Sequence, residues 1–221
     1  MKKRLLFIMT PLLLLTLFFI IPQNFPSLLP VFKITEKPTI ISKGTHGVTV
    51  TIDLTFGKED IEGLIKSLET PYPHFFMSND WIERSDSLIE LMKEKNIPIG
   101  LLGQDGASYI ENPTLFKKEI ERFEGSIGRA PQWFRTRDYE FPVELQETAW
   151  KYEVNLLGSS KYWIEGETNP KLQQGEILSI PLHQDERIDI NQITQLLKSD
   201  SYLTIEQNIF GLKIKTKTLP N

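Results

Sequence analysis

Asp53, Arg135 and His183 are the side chains of this sequence best placed for acid–base or charge chemistry. Asp53 stands near the C-terminal end of residues 47–57, an apolar run that alternates β-branched and other residues and breaks at Gly57. In chains built from repeated strand–helix units, catalytic groups collect at the C-terminal ends of strands. A carboxylate on an apolar strand is costly to bury unless it is paired. Asp53 therefore reads either as a functional group or as half of a structural ion pair. Arg135, which follows Trp133-Phe134 at the end of another apolar run, is the cation placed to meet it. His183 closes residues 177–182; imidazole titrates near neutral pH, which suits general acid–base work, though a histidine there is also often a surface residue. Of the other two histidines, His74 opens a strand and reads as packed or hydrogen-bonded, and His46 lies in a loop. Trp133, Trp163, Tyr139 and Tyr162 make a third group. Such rings stack on sugars when exposed beside a cleft and fill the core otherwise.

The elements that must position these groups follow from periodicity. Strands are predicted at 47–57, 74–78, 96–103, 133–135, 153–157, 177–182 and 202–206. Helices are predicted at 58–68, 83–95, 114–126, 143–151 and 188–198, each with an apolar stripe at helical spacing. The third carries Leu115, Phe116, Ile120 and Phe123 on one face. Strands alternating with helices imply a parallel sheet or barrel. No internal repeat or low-complexity tract interrupts the series.

Composition narrows the setting. The 221 residues carry a net charge of −4 at pH 7, which leaves no electrostatic footprint for nucleic acid. There is no cysteine, hence no disulfide framework and no thiol nucleophile. Lys2-Lys3-Arg4 precede an apolar run over 5–21 that would span roughly 25 Å as a helix, near the thickness of a thin bilayer core. Positive charge ahead of it favours an orientation with everything downstream outside the cytoplasm. The residues that follow, Pro22-Gln23-Asn24-Phe25-Pro26-Ser27, lack the small pair of a cleavage site, so an uncleaved anchor is preferred to a cleaved signal peptide. The expected organisation is an anchor or signal over 1–22, a proline-bearing linker over 23–46, a barrel over 47–208 and a tail strand over 209–221. The lysines of that tail, Lys213, Lys215 and Lys217, would face outward.

The order of these features resembles the polysaccharide deacetylases with a NodB homology domain, carbohydrate esterases that remove acetyl groups from chitin, peptidoglycan or related glycans. The resemblance covers about residues 47–206 and is clearest from His74-Phe75-Phe76-Met77-Ser78 through Asn96-Ile97-Pro98-Ile99-Gly100. It implies a distorted (β/α) barrel. The family's first motif, Thr-Phe-Asp-Asp-Gly, carries the catalytic base and then a metal ligand. Here it reads Thr51-Ile52-Asp53-Leu54-Thr55, which keeps the base and replaces the ligand. The second motif holds two metal-binding histidines, and the matching Leu102-Gly103-Gln104-Asp105-Gly106 has neither. The third, Arg-x-Pro-Tyr, survives as Arg135 without its proline, in Arg135-Thr136-Arg137-Asp138-Tyr139. The fourth keeps only its tryptophan, Trp163, in Ser159-Ser160-Lys161-Tyr162-Trp163. The fifth, Leu-x-His, carries the general acid, and Ile180-Pro181-Leu182-His183 keeps the histidine.

A hydrolytic zinc site needs three protein donors and a bound water. Leu54, Leu102 and Gly106 offer none, and Asp105, one residue from a ligand position, could add a single bond. No metal cofactor is therefore expected, and the inherited reaction should be absent or very slow. Two readings remain. In the preferred one, a membrane-tethered and catalytically degenerate barrel binds a cell-envelope glycan or a protein partner in the retained groove, with Tyr139, Trp163 and Trp133 as the contacts. In the other, Asp53, Arg135 and His183 still run a remodelled or metal-independent hydrolysis. A purely structural protein that makes contacts through its outer helices is a third, plainer option.

Overall fold

Among the described residues, eight strands, all paired in parallel, build the sheet in the order β1-β6-β5-β4-β3-β2-β8-β7. They are β1 (Ile40–Ile41), β2 (Thr49–Leu54), β3 (His74–Met77), β4 (Ile99–Leu102), β5 (Trp133–Arg135), β6 (Asn155–Leu157), β7 (Lys161–Tyr162) and β8 (Ile177–Pro181). The helices between and after them are α1 (Glu59–Ser67), α2 (Asn79–Glu83), α3 (Asp86–Lys95), α4 (Gly106–Glu111), α5 (Leu115–Ile127), α6 (Val143–Lys151), α7 (Ile190–Ser199) and α8 (Ile205–Phe210). The computed structural model describes residues 35–56, 59–164, 166, 170–182, 189–199 and 201–211. The apolar run 5–21, His183 and the tail from 212 onward lie outside them. Among the described residues no helix is long and apolar enough to cross a membrane.

Strand alternation sorts the apolar residues into two layers. Val50, Ile52 and Leu54 of β2 join Phe75, Met77 and Leu101 in the large cluster that also takes in the helices, for example Leu64, Met92 and Phe116. The residues between them in sequence face the other way. Phe76, Leu102, Trp133, Leu157 and Ile177 form a second cluster inside the sheet's curve. This is the side that holds Asp53.

The curvature is enforced by the chain. β6 lies next to one end of the strand order and β7 at the other, yet only Gly158–Ser160 connect them, a span of at most about 14 Å when fully extended. Gly158 donates its N–H to Ile41 O at 2.8 Å on one side, and Ser160 donates to Ile177 O at 3.1 Å on the other. The link thus stitches the two ends of the sheet together, as the expected distorted barrel requires.

Several boundaries depart from the periodicity. Ile40–Ile41, within the stretch read as linker, pair with β6, so the barrel begins before residue 47. The helix expected at 83–95 starts earlier and is broken. Ser78 caps α2 by accepting from Trp81 N at 3.3 Å, which buries Trp81 and Ile82, and α3 restarts at Asp86. Residues 106–111 form the unexpected α4, anchored by the buried Tyr109. The strand expected at 202–206 is not one: Thr204 and Gln207 form a reciprocal capping box, and α8 starts at Ile205. Ile209 and Phe210, assigned to the tail strand, are therefore helical.

α8 closes the barrel's N-terminal end. Ile205 enters the inner cluster, with Ile209 packed against it. Asn208, fully buried, accepts from Gly47 N at 3.1 Å and His46 N at 3.3 Å, and donates to Glu176 O at 3.3 Å.

Candidate functional site

Asp53 sits on the inner face near the C-terminal end of β2 and is 0% exposed. Its Oδ1 accepts from an Arg135 guanidinium nitrogen at 2.8 Å. Its Oδ2 accepts from the Tyr139 hydroxyl at 2.6 Å and from Ser179 Oγ at 2.8 Å. Both oxygens are thus engaged by the protein.

Arg135 holds the cluster together. It is 0% exposed and donates Nε to Leu157 O at 3.0 Å, one terminal nitrogen to Gly158 O at 3.0 Å, and the other toward Thr51 Oγ1 at 2.7 Å, Asp53 and Ser179 Oγ at 3.0 Å. Its charged carbon lies 4.3 Å from the Phe76 ring centroid, a cation–π contact in a dry interior. One guanidinium therefore ties β2, β5, β6 and β8 across the barrel. The rigid donor fork of arginine suits this role where lysine would not.

Two residues of this cluster were not singled out from the sequence, though both left a signal. Thr51 precedes Asp53 by two positions and must share its face, and Ser179 is the only hydroxyl in the apolar run of β8.

Tyr139 closes the cluster from above. Its backbone is left-handed, φ 58°, which is uncommon for a residue with a Cβ and marks a constrained position. Burial first, and then the neighbouring Asp53 charge, raise its hydroxyl well above the ordinary value. It stays protonated and donates. His74 lies lower in the barrel, paired in register with Thr51. Burial, reinforced by the charges of Arg135 and Arg129, pushes its imidazole down to about 3, so it is neutral at physiological pH.

The other candidates separate by exposure. Trp133 is 1% exposed within the inner cluster, and its indole N–H donates to Glu206 at 2.9 Å. Trp163 is 2% exposed and belongs to the layer beneath the helices. Neither offers a free face to a ligand, because strand alternation and the α8 plug place both in packed layers. Tyr162 is 41% exposed, and its ring stands 4.7 Å from that of Tyr139 at an interplanar angle of 69°.

The residues at the positions where the resemblance puts metal ligands do not fit a metal. Leu54 faces the helices, and Leu102 fills the inner apolar cluster. Gly106 is walled in by backbone: a Cβ there would lie 2.5 Å from the Glu140 carbonyl oxygen. Its N–H instead donates to both carboxylate oxygens of Asp138 at 3.0 Å, which pins the start of α4 to the loop after β5. Asp105 points to solvent. Among the described residues, no group of three His, Cys, Asp or Glu side chains could hold an ion. A separate buried cluster lies beside this segment, where Tyr109 donates to Glu119 at 2.6 Å and accepts from Gln104 N at 2.7 Å. Burial raises the Glu119 carboxyl above its ordinary value.

No protein-family model and no curated protein matches the sequence. Solved structures match the fold. The CE4 family pseudoenzyme BA3943 from Bacillus anthracis aligns with a TM-score of 0.62 at 16% identity, over 78% of this chain and 69% of that one. The chitin deacetylase of the fungal pathogen Colletotrichum lindemuthianum aligns with a TM-score of 0.63 at 16% identity, over 80% of this chain and 93% of that one. The Bc1960 peptidoglycan N-acetylglucosamine deacetylase aligns with a TM-score of 0.62 at 14% identity, over 77% and 92%. The chain therefore has the barrel fold of the CE4 carbohydrate esterases.

Proposed function

We propose that this chain is a membrane-anchored, extracytoplasmic protein of the cell envelope. Its deacetylase-type barrel has exchanged metal-dependent hydrolysis for binding a cell-wall glycan of the peptidoglycan or chitin kind. The observation that carries the reading is the state of Asp53: fully buried, with both oxygens held by Arg135, Tyr139 and Ser179. A general base must reach the proton it removes. This carboxylate reaches only protein. The donor set supports the same conclusion, since a zinc-bound water needs three ligands and the three matching positions hold two leucines and a walled-in glycine. The glycan follows from the fold's other members, two of which are named for acting on chitin and on peptidoglycan N-acetylglucosamine. The anchor rests on Lys2-Lys3-Arg4 ahead of the apolar run over 5–21.

The test is acetate release from acetylated chitooligosaccharide and from peptidoglycan, with added Zn²⁺ or Co²⁺, beside Asp53→Asn checked for folding by circular dichroism. The expected result is no turnover in either protein and sub-stoichiometric zinc in the purified wild type. Turnover that disappears in a folded Asp53→Asn variant would sink the degenerate reading and favour a hydrolase using Asp53 with His183 as acid.

A further inference from the structure

Tyr162 ends β7, and Trp163 follows it still bonded to the sheet, its N–H donating to Ser179 O at 3.0 Å, so the extended chain turns only one of the two adjacent rings toward the Asp53 cluster. Tyr162 has that side. It pairs in register with Ser179, whose hydroxyl donates to Asp53. Trp163, the residue the family motif would present, is buried among apolar side chains beneath the helices. From floor to solvent the order is Asp53, then Tyr139, then Tyr162. The first two are locked by the 2.6 Å hydrogen bond, and the third is 41% exposed against the ring below it.

We propose that Tyr162 is the carbohydrate-contacting platform of this barrel, offering its ring to the apolar face of a hexopyranose such as N-acetylglucosamine. The inference rests on the glycan-binding reading above and gives that reading its contact residue. Tyr139 is the positioning residue. With its hydroxyl bonded to Asp53 it cannot swing aside, so Tyr162 meets the ligand with little conformational freedom left to lose. Two-torsion aromatics present large, stiff contact area of this kind, and one end can be apolar while the hydroxyl stays wet. Burial is the largest influence on the Tyr162 hydroxyl and raises it above its ordinary value. It is then a neutral donor and acceptor for a sugar hydroxyl at neutral pH. Ile164, two residues on, is a further exposed apolar side chain at 36%.

The experiment is calorimetric titration of the full chain in detergent with the tetramer of N-acetylglucosamine. The variants are Tyr162→Ala, Tyr162→Phe and, as a control, Tyr152→Ala, whose ring is equally exposed but packs on Phe116 in the helical layer. Wild type and the control should bind alike, Tyr162→Phe within about twofold, and Tyr162→Ala about tenfold more weakly. Binding by Tyr162→Ala equal to wild type would overturn the platform and leave the glycan reading standing. A Tyr162→Phe variant as weak as Tyr162→Ala would overturn ring contact in favour of the hydroxyl. Wild type that binds no tetramer overturns both readings.

Discussion

Arg135 and Asp53 are each fully buried, and each is the only opposite charge the other touches among the described ion pairs. Removing one partner of such a pair strands the other in a dry interior, which costs roughly 3–5 kcal/mol. Asp53→Asn should therefore lower unfolding free energy in urea by about 3 kcal/mol or more. The double variant Asp53→Asn/Arg135→Met should cost clearly less than the sum of the single changes, since no orphaned charge remains. An additive double variant would mean that Arg135 is held by its carbonyl and hydroxyl acceptors rather than by the carboxylate. His74 makes a pH prediction. Its imidazole is lowered from 6.5 to about 3 by burial, so the folded state resists protonation that the unfolded chain accepts. The stability it contributes is complete above about pH 6.5 and is lost as pH falls toward 3. Between pH 6.5 and 5, above most carboxylate titration, the slope should approach about 1.4 kcal/mol per pH unit. Denaturation of His74→Gln over that range should be nearly flat by comparison.

α8 shows how an element can matter through its end-group bonding rather than its length. Six residues cannot form a stable helix alone, so its persistence depends on the capping box at Thr204 and on burial of Ile205. Asn208 then fastens it to the loops before β2 and β8. Asn208→Ala deprives the Gly47 N–H of its acceptor and leaves Glu176 O with only its bond from Thr49 N, and should cost about 1–3 kcal/mol in thermal or urea unfolding. Amide exchange should rise first at Thr45–Gly47, whose N–H groups the α8 end accepts. If exchange there were unchanged, α8 would not be closing the barrel. The signal for this helix was present in the sequence as Thr204-x-x-Gln207. The apolar and β-branched residues of 202–206 point to a strand instead, because pattern alone does not weigh a cap against alternation. β1 and β7 were missed for a different reason. Two residues hold no period, and they become strands only because β6 and β8 present free edges beside them.

The whole barrel decides whether a metal centre of the kind the resemblance implies could be built. Leu54→Asp, Leu102→His and Gly106→His would supply three donors on paper. In the structure Leu54 lies in the apolar layer under the helices, Leu102 in the inner cluster, and the space at Gly106 holds the Glu140 carbonyl. The triple variant should bind less than one equivalent of zinc by metal analysis and should unfold at lower denaturant than wild type. Stoichiometric zinc with an unchanged midpoint would show that the loop after β5 yields and that the site is dormant rather than filled. What the sequence alone determined was local. The order of β2 to β6 and β8 and of the longer helices follows from periodicity, Asp53 and Arg135 follow from charges on apolar strands, and Leu54, Leu102 and Gly106 are legible as residues without metal donors. What only the tertiary structure decided was access. The closing of Asp53 by Tyr139 and Ser179, the burial of Trp133 and Trp163, and the exposure of Tyr162 each depend on residues brought from distant strands. A chain's own period says which face a side chain takes. Only the packed neighbours settle whether that face meets protein or solvent.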